Sequence, residues 1–490
     1  MQRILAGIET EYGLMLEGRD ASDQVDDATD FVRSFDGSCL QGWDYRYESP
    51  RCDLRGFSVD RLAVDPVDAK FDVGHAARID HDIRSDRVLP NGARFYNDHG
   101  HPEYSTPETW SLQELMLHDK AGELFVHRMG REMSSPERRI RLYKNNTDYH
   151  GASYGTHENY LVPRDIGFEK LYRAVCPMLI ARQVLCGAGK IGAETGRACA
   201  YQISQRADFF SEPFNVETLY RRPVFNTRDE PHAQPDQWIR MHVISGDSNM
   251  IGSCTRRKVG LVKLAIALAL VDESPVWRIA DPVRTFQSIS RDETTEYRID
   301  LEGRSWTTAL DILESYLAAA ESTLDLDDEF AGLINECRKL MGDIEERFEV
   351  FARSVDWAAK RLMLQRYMEE EGVDWDSPSL QAFDLEYHNI DPDEGLYHAL
   401  VSMGEVEDPV APDEIGSRLE GCREPTRALA RGLAVARFGT ALKAACWRSL
   451  TFEVAGSLVE VELDPTRSYP AQLADAPDVE SFIQLLRGDL

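Results

Sequence analysis

Apolar and polar residues alternate with a period of two in several stretches of the first half of the chain. These are RILAGIETEYGLML (3–16), GARFYND (92–98), RIRLYKNN (139–146), HENYLVP (157–163) and WIRMHVISGD (238–247). Strand side chains point to alternate faces, so these stretches predict half-buried strands. From residue 305 the period becomes that of a helix: SWTTALDILESYLAAAEST and the run from Asp327 to Gly372 predict long amphipathic helices. LVKLAIALALV (261–271) is too short to span a bilayer and predicts a buried helix. A helix is expected around 425–438, then two short strands in WRSLTFEVAGSLVEVELDP. Strands that precede helices without βαβ alternation predict an α+β fold with a mainly antiparallel sheet, followed by a small C-terminal domain.

Two stretches break the pattern. Residues 36–90 are rich in Asp, Arg and Gly with little periodicity, which predicts either a functional, mobile loop or a plain disordered insertion. GEVEDPVAPDEIG (404–416) reads as a linker. The expected organisation is therefore a catalytic domain over 1–410, carrying the insertion at about 36–90, and a small domain over 417–490.

Composition narrows the function. The 490 residues carry a net charge of −30, which argues against nucleic acid as a partner. Nine cysteines at irregular spacings, with no CxxC, read as reduced thiols of a cytoplasmic protein. Glu9 and Glu11 interrupt the first apolar run, so neither a signal peptide nor a membrane span is expected.

Candidate chemistry clusters in the strands. Glu9 and Glu11 share one strand face, and two like charges so spaced repel unless solvent or a cation lies between them. NDHGHPEYSTPE (97–108) crowds Asp98, His99, His101 and Glu103 into six positions. An HxH pair can hold zinc, whereas carboxylates suit Mg²⁺; both readings stay open from the spacing. GASYG (151–155) matches a nucleophile elbow, but a strand is expected after it where the elbow needs a helix. GAGKIG (187–192) lacks the phosphate-loop spacing and reads as a helix end and turn. Arg206, Arg228, Arg240 and His242 add the cations that phosphate oxygens require.

In order, GIETEYG, NGARFYNDHGHPEYSTPE, YKNNTDYHGASYGTHENYLVP, SQRADFF, NTRDEPHA, HVISGDSNM, EYHNIDPDEGLYHAL and WRSLTFEV resemble the family that contains the Pup ligase and the Pup deamidase/depupylase of actinobacterial pupylation. That family shares the glutamine synthetase-like fold. DHGHPEYS is similar to the depupylase branch's DHAHPEYS, and Thr156 stands where ligases usually carry Cys; GIETEYG is closer to the ligase form. The insertion also falls where depupylases carry an extra loop. The resemblance implies a depupylase or deamidase that hydrolyses the amide or isopeptide at the C-terminal Gln or Glu side chain of Pup or a Pup-like tag, with ATP and Mg²⁺ as cofactors. The alternative is a ligase that uses ATP to form that isopeptide bond. It implies Asp98 as the catalytic residue, nucleophile or base. Glu9, Glu11, Tyr96, Glu103 and His157 are implied at the metal, and Arg94, Thr106, Arg206, Arg228, His242 and Trp447 at the nucleotide. A monomer is expected. Pup is acidic, so a basic groove is expected, from Arg138, Arg139, Arg141 and Lys144 or from Arg256, Arg257, Lys258 and Lys263.

Overall fold

A computed structural model describes residues 3–62, 83–149, 151, 153–408 and 410–488. Its centre is a seven-stranded sheet, antiparallel throughout. The spatial order is Trp238–Val243, Thr156–Pro163, Ala6–Glu11, His101–Ser105, Arg94–Asp98, Arg87–Val88 and Leu40–Gln41. The α+β class expected from the pattern therefore holds. The predicted first strand splits at Tyr12: Ala6–Glu11 enters the sheet, while Gly13–Leu16 leaves it to pair with Ile140–Tyr143.

One sheet face is packed by helices. Ile8 and Thr10 point to the helix Leu112–Met133, where the Thr10 hydroxyl lies 3.3 Å from an Asp119 carboxylate oxygen. That helix is started by Ser111, whose hydroxyl accepts from the Glu114 amide. The helices Phe168–Ala181 and Gly252–Leu270 extend the layer, and the second contains the predicted buried run. Alternation then leaves Glu9 and Glu11 on the opposite, open face.

A second apolar cluster sits around Leu442–Ala445, Ser449–Val454 and Ser457–Glu462, a three-stranded meander where two strands were expected. The helices Arg427–Phe438 and Val479–Arg487 cover it, and Trp43 and Val88 from far earlier in the chain complete it. The expectation of a structureless 36–90 is therefore corrected for its described parts: 40–41, 52–53, 57–58 and 87–88 are short paired strands. Residues 63–82 of that stretch lie outside the described residues. The expected linker is corrected too, because the helix Pro412–Glu420 begins inside it. Thr156–Pro163 is a strand, so the elbow motif fails as predicted, and 187–192 follows a helix end. All nine cysteines are free thiols. Among the described residues, no helix is long and apolar enough to cross a membrane.

Candidate active site

The hairpin of Arg94–Asp98 and His101–Ser105 turns on His99 and Gly100, with φ of +47° and +92°. Two residues of positive φ make the mirror-image turn that matches strand twist, and Gly supplies the second at little cost. The Asn97 side chain accepts from the Gly100 amide at 2.9 Å and donates to the Thr29 hydroxyl at 2.9 Å, which fixes the turn. Asp98 thereby sits at the strand end, two residue pairs from Glu103.

Glu103 pairs with Glu11 on one side and Tyr96 on the other. Oxygens of Glu11, Asp98 and Glu103 lie within 4.8 Å of one another. Three carboxylates that close cannot all stay ionised in a buried site without a cation. Burial and the Asp98 charge push Glu11 up to about 8, and Glu103 is also raised well above the carboxylate range by burial, Asp98, Glu9 and Glu11. Burial acts upward on Asp98 as well, but His99, Arg84 and His157 outweigh it and hold it low. Arg84 stands 3.6 Å from its carboxylate. Tyr96 donates its hydroxyl to Glu103 here, and burial beside that carboxylate keeps the phenol protonated.

Glu9 faces a second set. Its carboxylate accepts from Arg240 at 3.1 Å and lies 3.5 Å from His157 Nδ1 and 3.8 Å from His242 Nε2. Arg240 and His157 outweigh the opposing effect of burial and bring Glu9 down to about 2. Burial pushes both histidines below their usual range, and in His157 the facing Glu9 carboxylate opposes that effect. Glu9, His157 and His242 again offer three donor atoms within 4.8 Å. The oxygen-only set of Glu11, Asp98 and Glu103 fits a hard divalent cation such as Mg²⁺; the set with two imidazoles also suits softer metals.

The cleft around these groups has a volume of about 760 Å³. Buried Arg206 and half-buried Arg228 line it, each with an Nε that has no partner among the described residues. Burial and neighbouring Arg222 bring Arg206 down to about 10; burial also lowers Arg228. Guanidinium groups so placed are ready for an anion. A smaller pocket of about 60 Å³ opens beside the cleft, and Glu9, His232, Arg240 and Trp447 line both.

Eleven of the twelve residues singled out from the sequence line the large cleft: Glu9, Glu11, Arg94, Tyr96, Asp98, Glu103, His157, Arg206, Arg228, His242 and Trp447. Thr106 lines the adjoining pocket, where its hydroxyl accepts from the Ile8 amide at 3.0 Å. Arg94 is already committed, at 2.7 Å to Asp86 and 2.8 Å to the Tyr45 hydroxyl. Sequence reasoning passed over Arg84, Arg222, His232 and Arg427 as site residues. Arg240 could have been promoted, being two positions from His242 on one strand face.

The expected basic grooves are corrected. Arg257, Lys258 and Lys263 are buried in their helix, and Arg256 pairs with Glu336. Lys144 is buried against Asp119 at 2.8 Å, while Arg139 pairs with Glu394. Neither run forms a free cationic surface.

An antiparallel cradle with carboxylates and guanidinium groups facing one cleft suits an enzyme that holds an anionic ligand beside a divalent cation. Residues 3–451 match the model of the Pup-ligase protein family, and the chain belongs to that family. It is 36% identical over 498 residues to a depupylase of Acidothermus cellulolyticus, covering 98% of this chain and 97% of that one. Among solved structures, the complex between the prokaryotic ubiquitin-like protein Pup and its ligase PafA superposes with a TM-score of 0.77 at 27% identity. That match covers 99% of this chain and 93% of the ligase. PafA in complex with ADP gives a TM-score of 0.73 at 28% identity, over 88% of this chain and 96% of the other.

Proposed function

We propose that this protein is a depupylase: it hydrolyses the amide or isopeptide bond at the C-terminal Gln or Glu side chain of Pup or a Pup-like tag, with ATP and Mg²⁺ as cofactors. The observation that carries the reading is Asp98 at the strand end, its carboxylate oxygen within 4.8 Å of those of Glu11 and Glu103 and 3.6 Å from Arg84, in a chain that matches a depupylase over nearly its full length. Glu11 and Glu103, with Glu9 and His157, would hold the cation, and Arg206, Arg228 and His242 the phosphates. Trp447 and Thr106 would bound the base in the adjoining pocket. Bound cation and phosphate would polarise the scissile carbonyl and stabilise its developing oxyanion.

The chain's own part is to aim and charge Asp98. Arg84 keeps the carboxylate ionised, so it can attack the carbonyl carbon or take the proton of an attacking water. In the first case an Asp98 anhydride forms, the amine leaves with a proton, and water then cleaves the anhydride. Trapping with hydroxylamine separates the two, since only the anhydride can leave a hydroxamate on Asp98 itself; a tag hydroxamate arises by either route. Residues 1–410 would form the catalytic unit and 417–490 a small unit lending Arg427 and Trp447. The reading places the enzyme in the cytoplasm, as a monomer.

The test is to follow free tag and ADP while the protein acts on a tag-linked substrate with Mg²⁺ and ATP. Tag release without matching ADP, abolished in Asp98→Ala, is the expected result. Conjugate formation with stoichiometric ADP would make the protein a ligase.

A further inference from the structure

Three charged side chains are buried together at the small pocket, which Glu108 and Arg427 line and Arg431 backs: Glu108 is 7% exposed, Arg427 5% and Arg431 0%. Burying such a triad is costly unless every donor finds an acceptor. Here nearly all do. Glu108 accepts from Arg427 Nε at 3.0 Å and from an Arg431 terminal nitrogen at 2.6 Å. Arg427 also donates to the His232 carbonyl at 2.7 Å, and Arg431 Nε to the Gly92 carbonyl at 2.9 Å. The two forks thus tie one helix, Arg427–Phe438, to three segments far apart in the chain.

The helix also touches that loop at backbone distance. A Cβ on Gly92 would strike the Ala428 carbonyl, and one on Gly432 the Pro90 carbonyl. What the clamp holds is an aromatic wall. The Arg431 guanidinium carbon lies 4.7 Å from the centre of the Trp447 ring. The His232 ring stacks on the same indole at 6.0 Å and 23°, and Trp43 meets it edge-on at 4.9 Å. A planar guanidinium pinned by a carboxylate orients a stacked ring as a flexible apolar side chain would not.

We propose that Arg431, held by Glu108, is a positioning residue that fixes Trp447 as the wall of the pocket for the nucleotide base. The inference rests on the nucleotide reading given above. Arg431 acts through Trp447, which lines the pocket, and is not itself part of the lining.

The test compares wild type with Arg431→Met, Arg431→Lys and Glu108→Gln. ATP affinity is read by calorimetry with Mg²⁺, and turnover at saturating ATP. The ¹⁹F resonance of Trp447 in fluorotryptophan-labelled protein, assigned by its loss in Trp447→Phe, is read without ligand. Arg431→Met is expected to weaken ATP about fivefold to tenfold, with saturated turnover within about twofold of wild type. The Trp447 resonance should move while the other tryptophans stay in place, and Arg431→Lys should not restore it. Wild-type affinity or an unmoved Trp447 resonance in Arg431→Met would overturn the proposal. So would affinity and turnover falling together with shifts at every tryptophan, which marks a structural role alone. If Arg431→Met does not fold, Glu108→Gln, which keeps the shape, carries the Trp447 resonance readout alone, because Glu108 itself lines the pocket. A wild type that does not bind ATP sinks the nucleotide reading and this inference with it; a wild type that binds beside an indifferent Arg431→Met sinks only the inference.

Discussion

Glu103 is 1% exposed and surrounded by Glu9, Glu11 and Asp98, an arrangement that stores repulsion in the metal-free protein. Replacing it with Gln keeps its shape and removes the cost, at neutral pH, of burying a carboxyl group whose ionisation its surroundings oppose. Glu103→Gln is therefore expected to raise metal-free stability by roughly 1–2 kcal/mol and to abolish the extra stabilisation that Mg²⁺ gives wild type. Urea unfolding with and without the cation checks both halves; a mutant still stabilised by Mg²⁺ would remove Glu103 from the site. His118 shows the opposite economy, far from the cleft. Both its ring nitrogens are buried without a partner, and burial holds its pKa at about 4. The unfolded chain takes up that proton near pH 6.5, so this contribution is intact above 6.5 and declines as pH falls toward 4. Between pH 7 and 5 the loss is on the order of 2 kcal/mol. His118→Leu should flatten that part of the unfolding profile, and an unchanged slope would disprove the assignment.

At the scale of elements, strand and loop must meet within ångströms at Gly155. Its carbonyl accepts from the Glu11 amide at 3.1 Å, and a Cβ there would collide with His157 Nε2 and Glu11 Oε1. Gly155→Ala is expected to weaken Mn²⁺ binding about tenfold while changing stability by less than about 1 kcal/mol. Calorimetry and thermal unfolding measure the two; unaltered Mn²⁺ affinity would show that the two carboxylate sets adjust independently. The strands that build this wall were legible because each is long enough to show alternation: Thr156–Pro163 and Trp238–Val243 fall within a residue of one predicted start and at the other. Two-residue strands such as Leu40–Gln41 and Arg87–Val88 have no period to read, which is why 36–90 seemed empty. The residues that line the cleft were legible from their motifs. The triad behind Trp447 was not, because Glu108 and Arg431 meet across 323 residues and no local spacing announces the pair.

For the whole molecule, the net charge of −30 meets no compensating surface in either predicted basic run. An acidic tag must then approach against the long-range field, which salt screens. Its association rate should rise severalfold between about 10 and 150 mM salt, the reverse of a steered pair. Stopped-flow fluorescence with a labelled tag checks this, and a rate that falls with salt would reveal a cationic path among groups in the cleft.

The strand Ala6–Glu11 is made before its neighbours in the sheet, His101–Ser105 and Thr156–Pro163, and the wall is closed much later by Trp447. A nascent chain therefore carries an unpaired strand, with Ile8 uncovered, until Thr156–Pro163 has been made. The catalytic cleft is a late product of translation: no truncated chain that stops before the meander can complete it, and the growing polypeptide depends on holding that first strand apart from its kind until its partners arrive.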